Sequence, residues 1–163
     1  LVLNKWDISS GDPDNPGAYG DGGGAEALER ERKRVLSKSR LRPRVLTASA
    51  KTGRNVQRVL VEALSLADRY SHRIPTPEFN RFLADLAKMR EAPHKQGKRL
   101  KLLYGAQIGT RPPRFAIQVN HRRRLTRDYA YFVENRLRMR YGLDGIPVII
   151  DFPERANLAK EDR

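Results

Sequence analysis

The stretch Pro112-Pro113-Arg114-Phe115-Ala116-Ile117-Gln118-Val119-Asn120 decides how the chain is read. Phe115, Ile117 and Val119 alternate with Ala116 and Gln118, the two-residue period of a strand with one buried face. Arg122-Arg123-Arg124 follows as a basic turn. Beyond it, Tyr129, Phe132, Val133, Leu137 and Tyr141 build a helix with one apolar face. Gly142 supplies its stop, since glycine takes the left-handed cap without penalty. Pro147 to Phe152 reads as a short last strand.

Working back from Pro112, Gly105 to Pro113 is expected to be a connection interrupted by Gly and Pro. Lys98 to Tyr104 alternates, which predicts a strand with Leu100, Leu102 and Tyr104 on one side. His94 to Gly97 reads as a loop after Pro93. Phe79, Phe82, Leu83, Leu86 and Met89 share one face of a further helix. Thr76 is its expected N-cap and Pro77 stands in its first turn. Residues 77–153 are thus an α-β-β-α-β domain with its own core. A linker at 71–76 precedes it and a fraying polar tail at 154–163 follows.

The front half reads differently. Leu1-Val2-Leu3 looks like the end of a buried strand, so the chain is expected to be cut from a longer one. Residues 8–24, rich in Gly, Asp, Pro and Asn, are expected to be a long mobile loop. Ala25 to Arg40 predicts a charged helix with a narrow stripe of Leu28, Val35 and Leu36. Arg44-Val45-Leu46-Thr47 predicts a strand. Val56, Val59, Leu60, Ala63, Leu64 and Ala67 fall at i, i+3, i+4, i+7, i+8 and i+11, the strongest helical signal in the chain. Residues 1–70 therefore read strand, loop, helix, strand, helix, an α/β half-domain.

Composition narrows the chemistry. The 163 residues carry no Cys, which excludes disulfides and thiolate metal sites and fits a reducing, cytoplasmic setting. His72, His94 and His121 lie far apart, so no metal site is expected. No run approaches the length of a membrane span, and no membrane partner is expected. The formal net charge is +14, of which +10 lies beyond residue 70. That excess predicts polyanion partners, RNA foremost and not DNA.

Two short motifs follow the two front strands. Asn4-Lys5-Trp6-Asp7 resembles the guanine-specificity tetrad of small GTPases. A carboxylate at Asp7 can accept from guanine N1–H and its exocyclic amino group, whereas adenine offers neither donor there. Asn4 can bond the N7 side and brace the neighbouring loop, and the Lys5 stem can lie across the base. Ser49-Ala50-Lys51 resembles the second base-binding loop of the same proteins, in which the Ala50 amide would donate to guanine O6. The plain alternative is two ordinary strand-to-helix turns with Ser49 as a cap. No Gly-x-x-x-x-Gly-Lys-Ser/Thr occurs in these residues.

Taken with Asn4–Asp7, the runs at 112–120, 129–138 and 141–148 resemble the bacterial double-GTPase family Der, also called EngA. The resemblance implies the C-terminal part of a P-loop-type GTPase domain followed by a KH-like domain. It implies GTP and GDP as ligands, with Mg²⁺ held by another part of the domain. It further implies action in large ribosomal subunit assembly, with ribosomal RNA or the large subunit and preceding GTPase domains of the same chain as partners. By itself the present stretch is expected not to hydrolyse GTP. A second reading is a non-enzymatic basic RNA- or ribosome-binding module that retains GTPase remnants.

The expected KH-like domain lacks a Gly-x-x-Gly clamp, because Gly105 and Gly109 stand one residue too far apart. Phosphate contact would instead fall to Lys98, Arg99, Lys101, Arg111, Arg114, Arg122, Arg123 and Arg124, expected to be close together on the sheet. Arg136, Arg138 and Arg140 lie on the last helix, Arg136 and Arg140 sharing a side, and a solvated face is the plain reading for the set.

Overall fold

The computed structural model describes residues 1–9, 29, 30, 32–34, 36, 41, 43–95 and 97–155. The chain divides into two compact units, Leu1–Asp68 with Asp144–Ile146 and Arg69–Leu143 with Pro147–Arg163. Both mix helix and strand.

In the first unit β1 (Val2–Leu3) pairs in parallel with β2 (Leu46–Thr47), Val2 opposite Leu46 and Leu3 opposite Thr47. Backbone bonds from Leu46 N to Leu1 O and from Ala48 N to Leu3 O, both 2.9 Å, extend the ladder. The strand expected at 44–47 is confined to its last two residues. Helix α1 (Trp6–Ser9) follows β1 directly, so Ile8 and Ser9 are helical and not loop. Residues 10–24 of the expected loop lie outside the described residues, as do Leu28 and Val35 of the charged helix. The described positions 29, 30, 32–34 and 36 are helical.

Helix α2 (Val56–Ser71) forms where its spacing predicts, yet none of its residues is buried. Leu60, Val61 and Leu64 are each more than 60% exposed (61%, 66% and 68%). Amphipathic spacing encodes a face able to pack, and the described residues do not cover this one.

In the second unit the order is α3 (Thr76–Met89), β3 (His94–Lys95), β4 (Lys98–Arg99), β5 (Leu102–Gly109), β6 (Arg114–Val119), α4 (Arg127–Tyr141) and β7 (Ile149–Asp151). The hairpin β3–β4 precedes a sheet ordered β5-β6-β7, antiparallel then parallel. Phe79, Leu83 and Leu86 of α3, Phe115, Ile117 and Val119 of β6, and Tyr129, Val133 and Leu137 of α4 are all buried. The Phe79 and Phe115 rings stack with centroids 5.1 Å apart.

Several expectations need correction. Pro75, not Thr76, is the N-cap of α3, and Thr76 is its first residue. Met89 is 61% exposed and leaves the core face. His94–Gly97 holds a hairpin strand, since His94 pairs with Arg99 and Lys95 with Lys98. The connection expected at 105–113 is largely strand, because β5 runs to Gly109.

Gly105 is tolerated there, and needed, because α3 lies on it. A Cβ at Gly105 would stand 2.6 Å from Phe79 Cε1 and 2.7 Å from Leu83 Cδ1. Asn80 serves the glycine's backbone, donating from Nδ2 to Gly105 O at 2.8 Å and accepting from Gly105 N at 3.0 Å. A register shift between Leu102 and Tyr104 breaks the alternation. Leu100 is therefore buried, whereas Tyr104 is 54% exposed.

The stretch expected as a linker is anchored. Gln107, buried in β5, accepts from Ile74 N at 2.7 Å and donates to His72 O at 3.1 Å. The tail also begins later than expected. Glu154 bridges to Val119 beside β6, with Val119 N bonding Pro153 O and Arg155 N bonding Val119 O. Residues 156–163 lie outside the described residues. Among the described residues no helix is long and apolar enough to cross a membrane.

Candidate guanine-base loops and basic surface

Parallel pairing puts the carboxyl ends of β1 and β2 side by side, where ligands bind in open α/β sheets. Each strand delivers one candidate loop to that edge. Lys5 takes a left-handed conformation, φ 61°, which costs a non-glycine residue roughly 1–2 kcal/mol. This sharp turn sends the chain from β1 straight into α1 and brings Asp7 back toward β2. On the other side Gly53, φ 75°, closes the second loop. Asn55 Nδ2 then ties that loop to Thr47 O at 3.1 Å.

The two loops bond to each other directly. Ser49 Oγ donates to Asp7 Oδ1 at 2.6 Å. The Ala50 amide donates to Asn4 Oδ1 at 3.1 Å. Trp6 N donates to Ala48 O at 3.1 Å. Ser49 is fully buried and also accepts from Thr52 N at 3.2 Å, so its hydroxyl has one orientation. Its donation holds the Asp7 carboxyl below the ordinary carboxylate range, helped by Lys51 and Lys5 and opposed by partial burial. Asp7 is thus a fixed anion with acceptor positions beyond the one Ser49 fills. Lys5 and Lys51 are exposed. The Ala50 amide, expected to donate to guanine O6, is engaged with Asn4 in this structure. The bracing expected of Asn4 is the contact observed.

The eight basic candidates do not form one patch. Asn120, at the end of β6, gathers six of them. It accepts from Lys101 N at 2.9 Å, donates to Arg99 O at 2.9 Å, and its own amide donates to Lys101 O at 3.2 Å. The 3₁₀ turn Arg122–Arg124 starts two residues later. Lys98, Arg99, Lys101 and Arg122–Arg124 are thereby grouped at one end of the sheet. Glu154 fastens the turn, accepting from Arg122 N at 3.1 Å and pairing with His121 at 2.8 Å. Those contacts hold its carboxyl below the usual range.

Arg114 starts β6 and lies roughly 17 Å along the strand from its other end. It pairs with Asp151 across β7 at 2.6 Å. Arg111 donates to Ser71 Oγ at 2.9 Å. Arg99 is committed to Glu91 and His94. The side chains of Lys98, Lys101, Arg122, Arg123 and Arg124 make no salt bridge among the described residues. Sequence reasoning missed Asn120 and Glu154, whose importance lies in long-range bonds that no local pattern announces. Among the described residues no cluster of three or more His, Asp or Glu could hold a metal ion.

Residues 73–152 match the family model described as the KH-domain-like C-terminal domain of EngA bacterial GTPase enzymes. Over 155 residues the chain is 32% identical to GTPase Der of Caldanaerobacter subterraneus subsp. tengcongensis and 36% identical to that of Desulforudis audaxviator. Each alignment covers 95% of this chain and 33% of the relative. GTPase Der of Myxococcus xanthus is 34% identical over 162 residues, 99% of this chain and 33% of that protein. The chain thus spans about a third of the length of these curated relatives. Residues 73–152 thus belong to the KH-domain-like family of EngA bacterial GTPase enzymes, and the similarity to the proteins named GTPase Der runs through both units and not that domain alone.

Proposed function

We propose that this chain supplies guanine recognition and ribosome attachment to a GTPase that acts in large ribosomal subunit assembly. One observation carries the reading: Asp7 and Asn4 are bonded to Ser49 and Ala50 across the ends of two parallel strands. Two unrelated strand-to-helix turns would have no reason to share a buried hydroxyl and a carboxylate. The residues present fit a guanine base, with Asp7 for N1–H and the amino group and Lys5 over the ring. They do not supply the phosphates or Mg²⁺, so no hydrolytic step is assigned to them, and the chain alone is expected not to turn over GTP. The exposed apolar face of α2 supports an α/β unit that packs against further structure. Saturation-transfer NMR on the chain should show guanosine bound and adenosine not. Equal signals from both would overturn the assignment of the loops.

Attachment is assigned to Lys98, Lys101 and Arg122–Arg124, whose side chains make no salt bridge among the described residues, although Glu154 lies near enough to feel the Arg123 charge. Such binding is led by phosphate charge, so log K should fall steeply and linearly with log salt. Co-sedimentation with large ribosomal subunits at several ionic strengths measures this. Reversing Arg122, Arg123 and Arg124 to Glu should weaken binding and flatten the slope. A flat series for the unaltered chain contradicts ribosome attachment by this surface. Should guanosine fail to bind while the salt series stays steep, the non-enzymatic RNA-binding module is the better description.

A further inference from the structure

We propose that the groove between α3 and α4 docks an acidic amphipathic helix of a partner protein. The groove encloses 640 Å³. Phe82, Met89 and Met139 are the apolar part of its lining, and Arg81, Arg136 and Arg140 belong to the same lining. The chain has only two methionines, and both lie here, 61% and 64% exposed. Thioether side chains adapt to varied apolar partners, which makes exposed methionine more suited to a contact surface than to a solvated one.

The arginines set the sign of the partner. Arg136 and Arg140 are one helical turn apart on α4, and Arg81 faces them from α3. No carboxylate among the described residues pairs with any of the three. Arg136 lies over the Phe132 ring at 5.7 Å, and Arg140 over the Tyr141 ring at 6.0 Å. A guanidinium over a ring keeps its N–H edges for bidentate carboxylates. A helix with leucines on one stripe and glutamates beside it matches both parts of that lining, the helix-in-groove mode of recognition.

Nucleic acid fits less well. Glu78 and Asp85 belong to the same lining but stand on α3, with Lys88 3.4 Å from Asp85, so a helix can set its glutamates against Arg136 and Arg140 of α4 alone, whereas a phosphate chain, charged at every unit, meets both signs. The one aromatic lining residue, Phe82, is buried at 8% exposure and offers no open ring for a base to stack on. The surface gathered around Asn120 involves none of these residues, so the proposal does not depend on the RNA assignment.

The two methionines make the test direct. The chain labelled with ¹³C-methyl methionine gives two resonances, assigned with Met89→Leu and Met139→Leu. The probe is a synthetic helical peptide with a leucine stripe flanked by glutamates, beside a control with lysine for every glutamate and a single-stranded oligouridylate. The glutamate peptide should shift both methyl signals saturably, and the lysine peptide should not. Arg136→Glu with Arg140→Glu should weaken binding about tenfold. Arg136→Gln with Arg140→Gln should weaken it less, with an unchanged melting temperature in both cases. Silent methyls overturn the proposal, as do equal shifts from both peptides or undiminished binding by the charge-reversed variant. Tighter methyl shifts with oligouridylate than with the glutamate peptide would give the groove to RNA instead.

Discussion

Asp7, the proposed base-recognition group, shows how little of such a role is decided by the residue alone. Its spacing from Asn4 was legible, because a tetrad after a strand places both at a carboxyl edge. How far its carboxyl lies below the ordinary range depends first on Ser49, forty-two positions away, whose burial and second bond from Thr52 fix the hydroxyl. Since the folded carboxyl is lowered, its hydrogen-bonded anionic form stabilises the fold above the ordinary Asp pKa, roughly 3.9. That contribution is lost as pH falls through the lowered folded value. Ser49→Ala should therefore move the Asp7 carboxyl back up toward its ordinary range, read from the ¹³Cγ shift in an NMR pH titration. An unmoved midpoint would mean that the Ser49 hydroxyl does not hold the anion. The Ala50 amide illustrates the opposite limit. Sequence names it as a donor, but which oxygen it meets depends on how the two loops close.

At the scale of elements, β6 and α4 could be read directly from their periods, and α4 ends on Gly142 with φ 62°. But Arg138, expected with the solvated face, is buried, paired with Glu134 and bonded to Leu143 O. Strand β5 could not be read this way. Gly105 and Gly109 look like punctuation, and the reason for Gly105 lies on α3, twenty-odd residues earlier. Gly105→Ala should destabilise the second unit by about 1–3 kcal/mol, the usual cost of forcing atoms into a filled core. Chemical denaturation measures it, and a loss near zero would show that α3 does not sit tightly on β5. Helix α2 is the converse case. Its spacing predicts a buried stripe, but periodicity says nothing about what does the burying, and Leu60 and Leu64 remain exposed. The basic cluster was legible as composition and not as geometry. Arg111 and Arg114 share its sign, yet Ser71 and Asp151 take them, and the strand separates Arg114 from Asn120.

Across the whole chain, charge and base recognition divide between the two halves. Residues 1–70 carry a net +4 and the two loops, whereas the remainder carries +10 and the KH-like domain. On the proposed function, selection of a nucleotide rests on one oriented carboxylate, while attachment rests on summed cations and should respond to salt. The central claim is that Asp7 chooses guanine. Its most direct measurement is saturation-transfer NMR of the unaltered chain and Asp7→Asn with guanosine and xanthosine. Xanthosine presents a carbonyl where guanosine presents its amino group, so an amide at position 7 can donate where the carboxylate could only accept. The account predicts that the unaltered chain favours guanosine and that Asp7→Asn shifts the preference to xanthosine. An unchanged preference in the variant would contradict it.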